Sequence, residues 1–511
     1  MAGFNLADLF ERVADAVPER VALVAGDDRR TYRELDDRAT RLAHELPRGH
    51  IGLCLSNSIA HVELLLACYK RGAVPINVNW RYTPAEIASL ADDADLVQCW
   101  YDTDDHEALV ARGSAARDFE GRSGDDHYVL YTGGTTGMPK GVVWRHEDIF
   151  FAALGGGNPG GPPIADPGQI AVSVVDNPAQ RLRAFLPSDD PGPDQFVTLG
   201  LGPLVHASGQ WSVLGALLGG GKVVLFPHRS LDFARVLDLV ERERVNNMNL
   251  TGDATARPLL DTLQANPTGW DTLSLRLLGS GGAMLSGAVK EDLIAAIPSL
   301  LAIVEGIGSS ESPAQAVAVT TRNGVVPPSL TFAAKAETML VDDDLRPIAP
   351  GSGQVGRLAT RGRVPLGYYK DPQRSARTFA EIDGTRWSLP GDMATMDADG
   401  TVHLLGRGSQ CINTGGEKVY PEEVEAVLKT APGVADAVVV GVADERFGER
   451  VVAIVAADDP GVAPALEAIR DHGRAHLAGY KLPRALFVVA EIARTPTGKV
   501  DYQWARTVVD G

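Results

Sequence analysis

Residues Tyr131 to Trp144 read YTGGTTGMPKGVVW, and the fold turns on what this stretch is. Its first eleven residues are all Tyr, Thr, Gly, Met, Pro or Lys, and the apolar run DDHYVLYT leads straight into it. Three threonines, three glycines and one lysine lie between Thr132 and Lys140. Glycines let backbone amides approach an anion closely, hydroxyls donate to phosphate oxygens or bind Mg²⁺, and a lysine adds a point charge. The stretch reads as a phosphate loop following a strand. It is not a Walker A loop, which needs Gly-Lys-Ser/Thr opening a helix; here the lysine sits in Pro139-Lys140-Gly141.

Around the loop, short apolar runs alternate with helical patterns: RVALVA, YRELDDRATRLAHEL, IGLCLS, AHVELLLACYKRG, AVPINVN, PAEIASLADDA and LVQCWY. That order predicts βαβ units and a largely parallel sheet covered by helices. A second series, VTLGLGPL, KVVLFP, NNMNLT, RLLGSGG and AIVEGIGSS, predicts a second α/β lobe. The Gly/Pro-dense segment 154–170 reads as a surface loop. From about Ser329, short strands with turns at Asp342-Asp343-Asp344 and Ala398-Asp399-Gly400 predict a small β-rich subdomain. After Gly406 the order helix, strand, strand, helix and tail predicts a separate α/β unit.

The 511 residues suggest about three compact units. A net charge of −18 argues against a nucleic-acid or anionic-membrane partner, so an anionic ligand needs a local site. Cys54, Cys68, Cys99 and Cys411 form no CxxC pair and read as reduced structural thiols. The N-terminal MAGFNLADLFERVADAVPER is an amphipathic, acidic helix and not a signal peptide, and no apolar window is long enough to span a bilayer, so a cytoplasmic enzyme is expected.

YTGGTTGMPKGV resembles the signature loop of the adenylate-forming (ANL) superfamily of acyl-CoA synthetases, stand-alone adenylation domains and luciferases. Five further motifs stand in the family's order: GSGGA, GIGSSE, PGDMATMDADG, GRGSQCINTGGEKVYPEEVE and RTPTGKV. The resemblance implies an α/β, ANL adenylate-forming fold. Residues 1–406 would form the N-terminal domain, with α/β lobes to about 328 and a β-rich subdomain over 329–406. Residues 407–409 would be a hinge and 410–511 a mobile C-terminal domain.

The resemblance also assigns roles. Thr132, Gly133, Gly134, Thr135, Thr136 and Lys140 would hold the β- and γ-phosphates of ATP. Gly281, Gly282, Ala283, Gly308, Ser309 and Ser310 would border the nucleotide. Glu311, with Thr136, would bind Mg²⁺, Asp392 would hold the ribose, and Arg407 would adjoin it. Lys499 would bridge the carboxylate and the α-phosphate, because two anions must be neutralised and held in line. Ser409 would be the hinge, and Gly415, Gly416 and Lys418 would serve coenzyme A. Taken alone, Glu311, Asp392 and Lys499 are ordinary surface residues; their joint occurrence carries the reading.

The acyl pocket is expected from His206, Ala207, Gly209, Trp211, Thr251, Gly252, Asp253, Gly279 and Ile307. Small residues and the lack of an evident cationic partner for a second carboxylate favour a large hydrophobic acid. TGDATARPLL, GGEKVYPEEVEAVLK and AGYKLPR are similar to the actinobacterial branch acting on steroid side-chain and diterpenoid acids. The partners implied are that acid and CoA; a homodimer, an upstream adenylating enzyme and a carrier protein stay open. Three departures bear on adenylation: Ile307 where the family often has an adenine-stacking Tyr, Ser310 for Thr, and Ser409-Gln410 at the hinge. They leave open a chain weak in adenylation that works from a preformed acyl-adenylate. The same motifs also admit a medium/long-chain fatty acyl-CoA synthetase, a carrier-loading adenylation enzyme or a non-catalytic adenylate binder.

Overall fold

The computed structural model describes residues 3–132, 139–158, 161–187, 190, 192–228, 230–414, 417–444, 447–459, 461–495 and 499–510, without the side chains of Gln180 and Ser409. The described ends of the signature stretch lie in two antiparallel strands. Strands His127–Thr132 and Lys140–Arg145 pair so that Thr132 faces Lys140, and Gly367–Tyr368 adds a third strand. Apolar side chains on both arms, Tyr128, Leu130, Val142 and Trp144 among them, are sealed in the core, which fixes the register of the pair.

Two parallel arrangements carry the α/β part. Val74–Asn77, His50–Cys54 and Leu96–Tyr101 form a three-stranded sheet in that order. The second is continuous across Ala302–Ser309, Leu277–Gly281, Asn247–Leu250, Val197–Gly200, Lys222–Leu225 and Val21–Ala25. Val21–Ala25 therefore leaves the first series and pairs with Lys222–Leu225, far along the chain. Apolar alternation predicts a strand and a buried face but carries no information about which sheet receives it. A short hairpin strand, Asp28–Thr31, closes that edge with exposed and half-exposed polar residues.

The sheet turns antiparallel at Ser312–Thr321, earlier than the expected β-rich boundary near 329. Ser309 pairs with Ser312, so Ser310 and Glu311 form a two-residue hairpin turn. Thr331–Ala334, Thr401–Arg407, Asp392–Met396, Gly356–Arg361 and Thr338–Val341 extend the same sheet. The turns at Asp342 and Asp399 form by local chemistry: Asp342 Oδ1 accepts from the amides of Asp344 and Arg346, and Gly400 has φ +86°. A short 3₁₀ turn, Gly408–Gln410, leads to a second sheet of Glu417–Val419, Ile412–Thr414, Gly448–Ala457 and Val434–Asp444, with Ala485–Val489 parallel to Gly448–Ala457. Elements that escaped the sequence pattern include strands Ser312–Thr321 and Ala485–Val489, and helix Gln169–Asp176 at the end of the Gly/Pro-dense segment.

Helices Leu6–Ala16, Tyr32–Glu45 and Ile59–Arg71 meet around a fully buried cation. Lys70 Nζ lies 2.6 Å from Glu11 Oε1 and 2.7 Å from Asp36 Oδ1, with Arg117 and Arg122 bound to the same carboxylates. Replacing Lys70 by Met leaves two acids under-compensated, so Lys70→Met should cost about 3–5 kcal/mol, seen as a lower denaturant midpoint for the N-terminal domain.

Candidate active site

Two hairpins meet. Trp144, wholly buried on the first, donates its indole N–H to the Ser310 carbonyl on the second at 3.0 Å. Ser310 Oγ reaches Thr132 Oγ1 at 3.1 Å and Glu311 Oε2 at 3.3 Å. Tyr368, from the strand added to the first hairpin, donates to Glu311 Oε1 at 2.6 Å, and Ser388 Oγ donates to the Glu311 carbonyl at 2.9 Å. Burial and the adjacent Glu311 carboxylate raise the Tyr368 pKa, so its phenol stays a donor at neutral pH. The result is a set of hard oxygen atoms beside the open end of the signature loop, the donor chemistry Mg²⁺ prefers. At the loop's other end, half-buried Lys140 sits 3.7 Å from Asp93, which also accepts the Tyr131 hydroxyl.

Asp392 is buried, with Oδ2 bound by Gln315 Nε2 at 2.6 Å and Oδ1 by Arg407 Nε at 2.8 Å. Arg407 also donates to the Pro390 carbonyl, and its backbone N–H meets Glu422 Oε1 of the following domain at 3.3 Å. Gly406 has φ +124°, and a Cβ there would run into the Glu422 carboxylate, so glycine is required where the second domain docks. Burial raises the Glu422 pKa, and its Oε2 has no hydrogen-bond partner among the described residues.

Lys499 reaches this cluster from the C-terminal domain. Its Cε would stand 3.5 Å from a Cβ on Gly282, an exposed glycine at φ +79°. Surrounding protein and the Arg407 charge lower the pKa of its ammonium, while Asp392 and Glu311 oppose them. The residue remains exposed on the open side of the cleft, so solvent moderates the shift. The tail is held by the Lys499 carbonyl, which accepts the Thr495 amide at 2.7 Å. The structure thus gathers Thr132, Ser310, Glu311, Asp392, Arg407, Gly282 and Lys499 around one cleft.

On the acyl side, His206 precedes helix Ala207–Leu218. Its Nε2 is buried without a hydrogen-bond partner among the described residues, and burial, Lys499 and Arg81 push its pKa down to about 4. Trp211 and Ala207 are half-buried on the same helix, as are Thr251 and Gly279 across the gap. A Cβ on Gly279 would strike Asn249 Oδ1, whose amide Nδ2 donates to Ser212 Oγ on the helix at 3.1 Å.

Four expected pocket residues lie elsewhere. Ile307 is buried among Ala316, Phe332, Leu358 and Met396, because its strand pairs into the antiparallel sheet and turns that side chain to the core. Gly209 makes room for the Pro203 carbonyl and Gly252, at φ +49°, for the Met284 carbonyl. Buried Asp253 is used up by the Ser286 amide at 2.8 Å and Arg257 at 3.4 Å. Gly308 likewise serves packing, since a Cβ would meet the Pro313 carbonyl. Ser309 Oγ accepts the Glu311 amide at 3.2 Å. Gly281 is exposed and Ala283 half-buried beside Gly282, and Lys418 is exposed on its hairpin. Gly133, Gly134, Thr135, Thr136, Gly415, Gly416 and the Ser409 side chain lie outside the described residues.

Sequence reasoning missed Tyr368, Gln315, Ser388 and Asn249. None sits in a motif whose chemistry singles it out; each is identified only by the partner it touches. Cavities of about 350 Å³ beside Gln195 and Arg276 and about 220 Å³ beside Gly72 and His146 lie away from this cleft.

The AMP-binding enzyme family model matches residues 10–369, and the model of the AMP-binding enzyme C-terminal domain matches 423–499. The chain belongs to the AMP-binding enzyme family. It is 41% identical to the 3-oxocholest-4-en-26-oate–CoA ligase of Rhodococcus rhodochrous, over 98% of this chain and 95% of that one. A medium/long-chain-fatty-acid–CoA/3-oxocholest-4-en-26-oate–CoA ligase of Mycolicibacterium smegmatis is 39% identical, over 99% and 96%. The fold matches the anthranilate CoA ligase AuaEII in complex with anthranoyl-AMP (TM-score 0.81, 22% identity, 98% and 96% covered). It also matches ATP-bound MatB from Rhodopseudomonas palustris (TM-score 0.78, 24% identity, 98% of each chain). This AMP-binding chain is an adenylate-forming acyl-CoA ligase, using ATP, Mg²⁺ and CoA. Among its described residues no helix is long and apolar enough to cross a membrane.

A neutral His206 follows from its lowered pKa, and protonating it opposes the fold as pH falls from about 6.5 toward 4. NMR titration should place its midpoint near 4. Lys499→Ala should move that midpoint upward by removing a nearby cation; an unmoved midpoint would mean that Lys499 does not rest in this cleft in solution.

Proposed function

We propose that this ligase activates a bulky, largely apolar carboxylic acid of steroid or diterpenoid size. The observation that carries the reading is the half-buried slot between helix Ala207–Leu218 and the strand ends at Asn249 and Gly279, which leads to Lys499. The Rhodococcus relative's named substrate, a cholestenoate, supports the same class. The acid enters with its carboxylate toward Lys499 and its hydrophobic body along the helix.

In the first half-reaction a carboxylate oxygen attacks the α-phosphorus and pyrophosphate leaves. Both reactants are anionic, and the contribution of Lys499 is a positive charge shared between them at the moment they meet. Glu311, held by Tyr368 and Ser310, would bind Mg²⁺, which offsets charge on the leaving pyrophosphate. Asp392, steadied by Gln315 and Arg407, would receive the ribose hydroxyls. Ile307 is sealed in the core and offers no ring to adenine, so nucleotide affinity has to come from the polar contacts.

In the second half-reaction the CoA thiolate attacks the acyl carbonyl and AMP leaves. The lysine then has to withdraw, and we assign residues 407–409 as the hinge between residues 1–406 and 410–511. The Glu422 contact at Arg407 belongs to the orientation with Lys499 in place. Gly415, Gly416 and Lys418 would meet the pantetheine arm after rotation. ATP and CoA fit a cytoplasmic enzyme.

Mass spectrometry of products from steroid, diterpenoid and long-chain acids with ATP, Mg²⁺ and CoA should show thioesters of the polycyclic acids formed fastest; preference for simple fatty acids would overturn the substrate reading. Lys499→Ala should lower acid-dependent pyrophosphate exchange by about 10²–10³-fold, while thioester formation from a supplied acyl-adenylate stays within a few-fold of the parent. If the parent shows no exchange yet converts that adenylate, the chain is the thioester-forming half alone.

A further inference from the structure

The helix lining the acyl slot is buried almost all round, except for one stripe. Ser208 is exposed and Trp211 and Ser212 half-buried, while Gly209, Gln210, Val213 and Leu214 are buried. The stripe follows the period of one helix face, and its next member, Gly215, is buried. What covers Gly215 is Arg181: a Cβ on that glycine would collide with Arg181 Nη2, with the Leu154 carbonyl 3.4 Å away. Phe196, beside Arg181, packs with Leu182, Leu277 and Ala302 in a buried apolar cluster.

Arg181 is therefore a cation set over the buried end of that helix stripe, against an apolar cluster. Phe196 lies 5.9 Å from its guanidinium carbon, and the described residues offer it neither a carboxylate nor a hydrogen-bonding partner. Arg181 is half-buried, and lost hydration without a compensating anion pushes its pKa down to about 10, a shift that remaining solvent contact moderates. A guanidinium in such surroundings is costly unless something binds it. Nine residues of helix separate His206, at the reacting end, from Gly215, a rise of about 14 Å. That matches a fused polycyclic body carrying a short acid side chain.

We propose that Arg181 is a specificity residue whose guanidinium, at the buried end of the stripe, hydrogen-bonds an acceptor oxygen at the end of the acid remote from the reacting carboxylate. The inference rests on the bulky-acid reading and adds a polar requirement to it. The acceptor is a ketone or a second carboxylate, and glycine at 215 is required because any side chain there would displace the guanidinium.

The test compares kcat/KM for acids matched in skeleton: a 3-oxo steroid side-chain acid, its 3-deoxy counterpart, a fatty acid, its ω-oxo form and the corresponding dicarboxylate. Each is measured with the parent enzyme and with Arg181→Met. The parent should prefer the remotely oxygenated member of a pair by about 10- to 100-fold, the range for a hydrogen bond to a charged group. Arg181→Met should erase that preference, lowering kcat/KM for the oxygenated member of a pair far more than for the plain one. A dicarboxylate favoured over the ketone identifies an anionic acceptor, and the reverse a neutral one. No preference in the parent, or an equal loss on both members in the variant, overturns the proposal. If polycyclic acids fail altogether, the bulky-acid reading falls and the fatty-acid pair still judges Arg181. Melting temperature is an independent check: removing an unpaired, half-buried cation should leave it unchanged or raise it, and a fall of several degrees would mark Arg181 as structural and sink the inference.

Discussion

The indole N–H of Trp144 and the carbonyl of Ser310 hold two hairpins against each other, and the cleft depends on that contact. Each hairpin alone is a pair of antiparallel strands. Joined, they put Thr132, Ser310 and Glu311 within hydrogen-bond reach in a setting that Trp144 keeps dry from below. A bond to a buried donor of this kind cannot be dropped without leaving a polar atom unsatisfied, so the pairing of the hairpins is strongly specified. Tyr368 and Ser388 then fix Glu311 from the sheets on either side.

The second constraint is electrostatic. The protein carries a net charge of −18, yet the cleft has to receive a nucleotide and a carboxylate. Local cations at Lys499, Arg407 and Lys140 meet that need, and each stands beside an acid: Arg407 on Asp392, Lys140 on Asp93, Lys499 in the field of Asp392 and Glu311. Lys499 comes from the other domain, so the charge needed for the first half-reaction can be removed for the second by moving one body. Arg181 differs from these because no acid among the described residues answers it.

Much of the fold was legible because apolar periodicity and turn chemistry are local. The runs around Val197, Lys222, Asn247, Leu277 and Ala302 are strands, and the aspartate turns at Asp342 and Asp399 are where their side chains make them. What was not legible is partnership. Val21–Ala25 joins a strand about two hundred residues away, Ile307 turns to the core, and Gly209, Gly252 and Asp253 serve packing or capping. Glycine in a motif can mean room for a ligand or room for a carbonyl, and only the neighbour decides which. Tyr368, Gln315 and Arg181 were invisible for the matching reason: their types are common and their significance lies in what stands opposite.

By itself the sequence determined the chemistry available. Glycines, threonines and a lysine in one loop, a lone glutamate after two serines, an aspartate in a turn and a lysine in the tail are a set of donors and charges, and their order along the chain carries the family resemblance. Tertiary structure decided which of them share a cleft, which are spent on packing, and that an arginine with no anion of its own stands over the buried end of the slot's helix stripe. The physical reason is range. Propensity and periodicity act over a few residues, whereas a charge or a hydrogen bond acquires its value from desolvation and from partners that the chain brings together only when it folds.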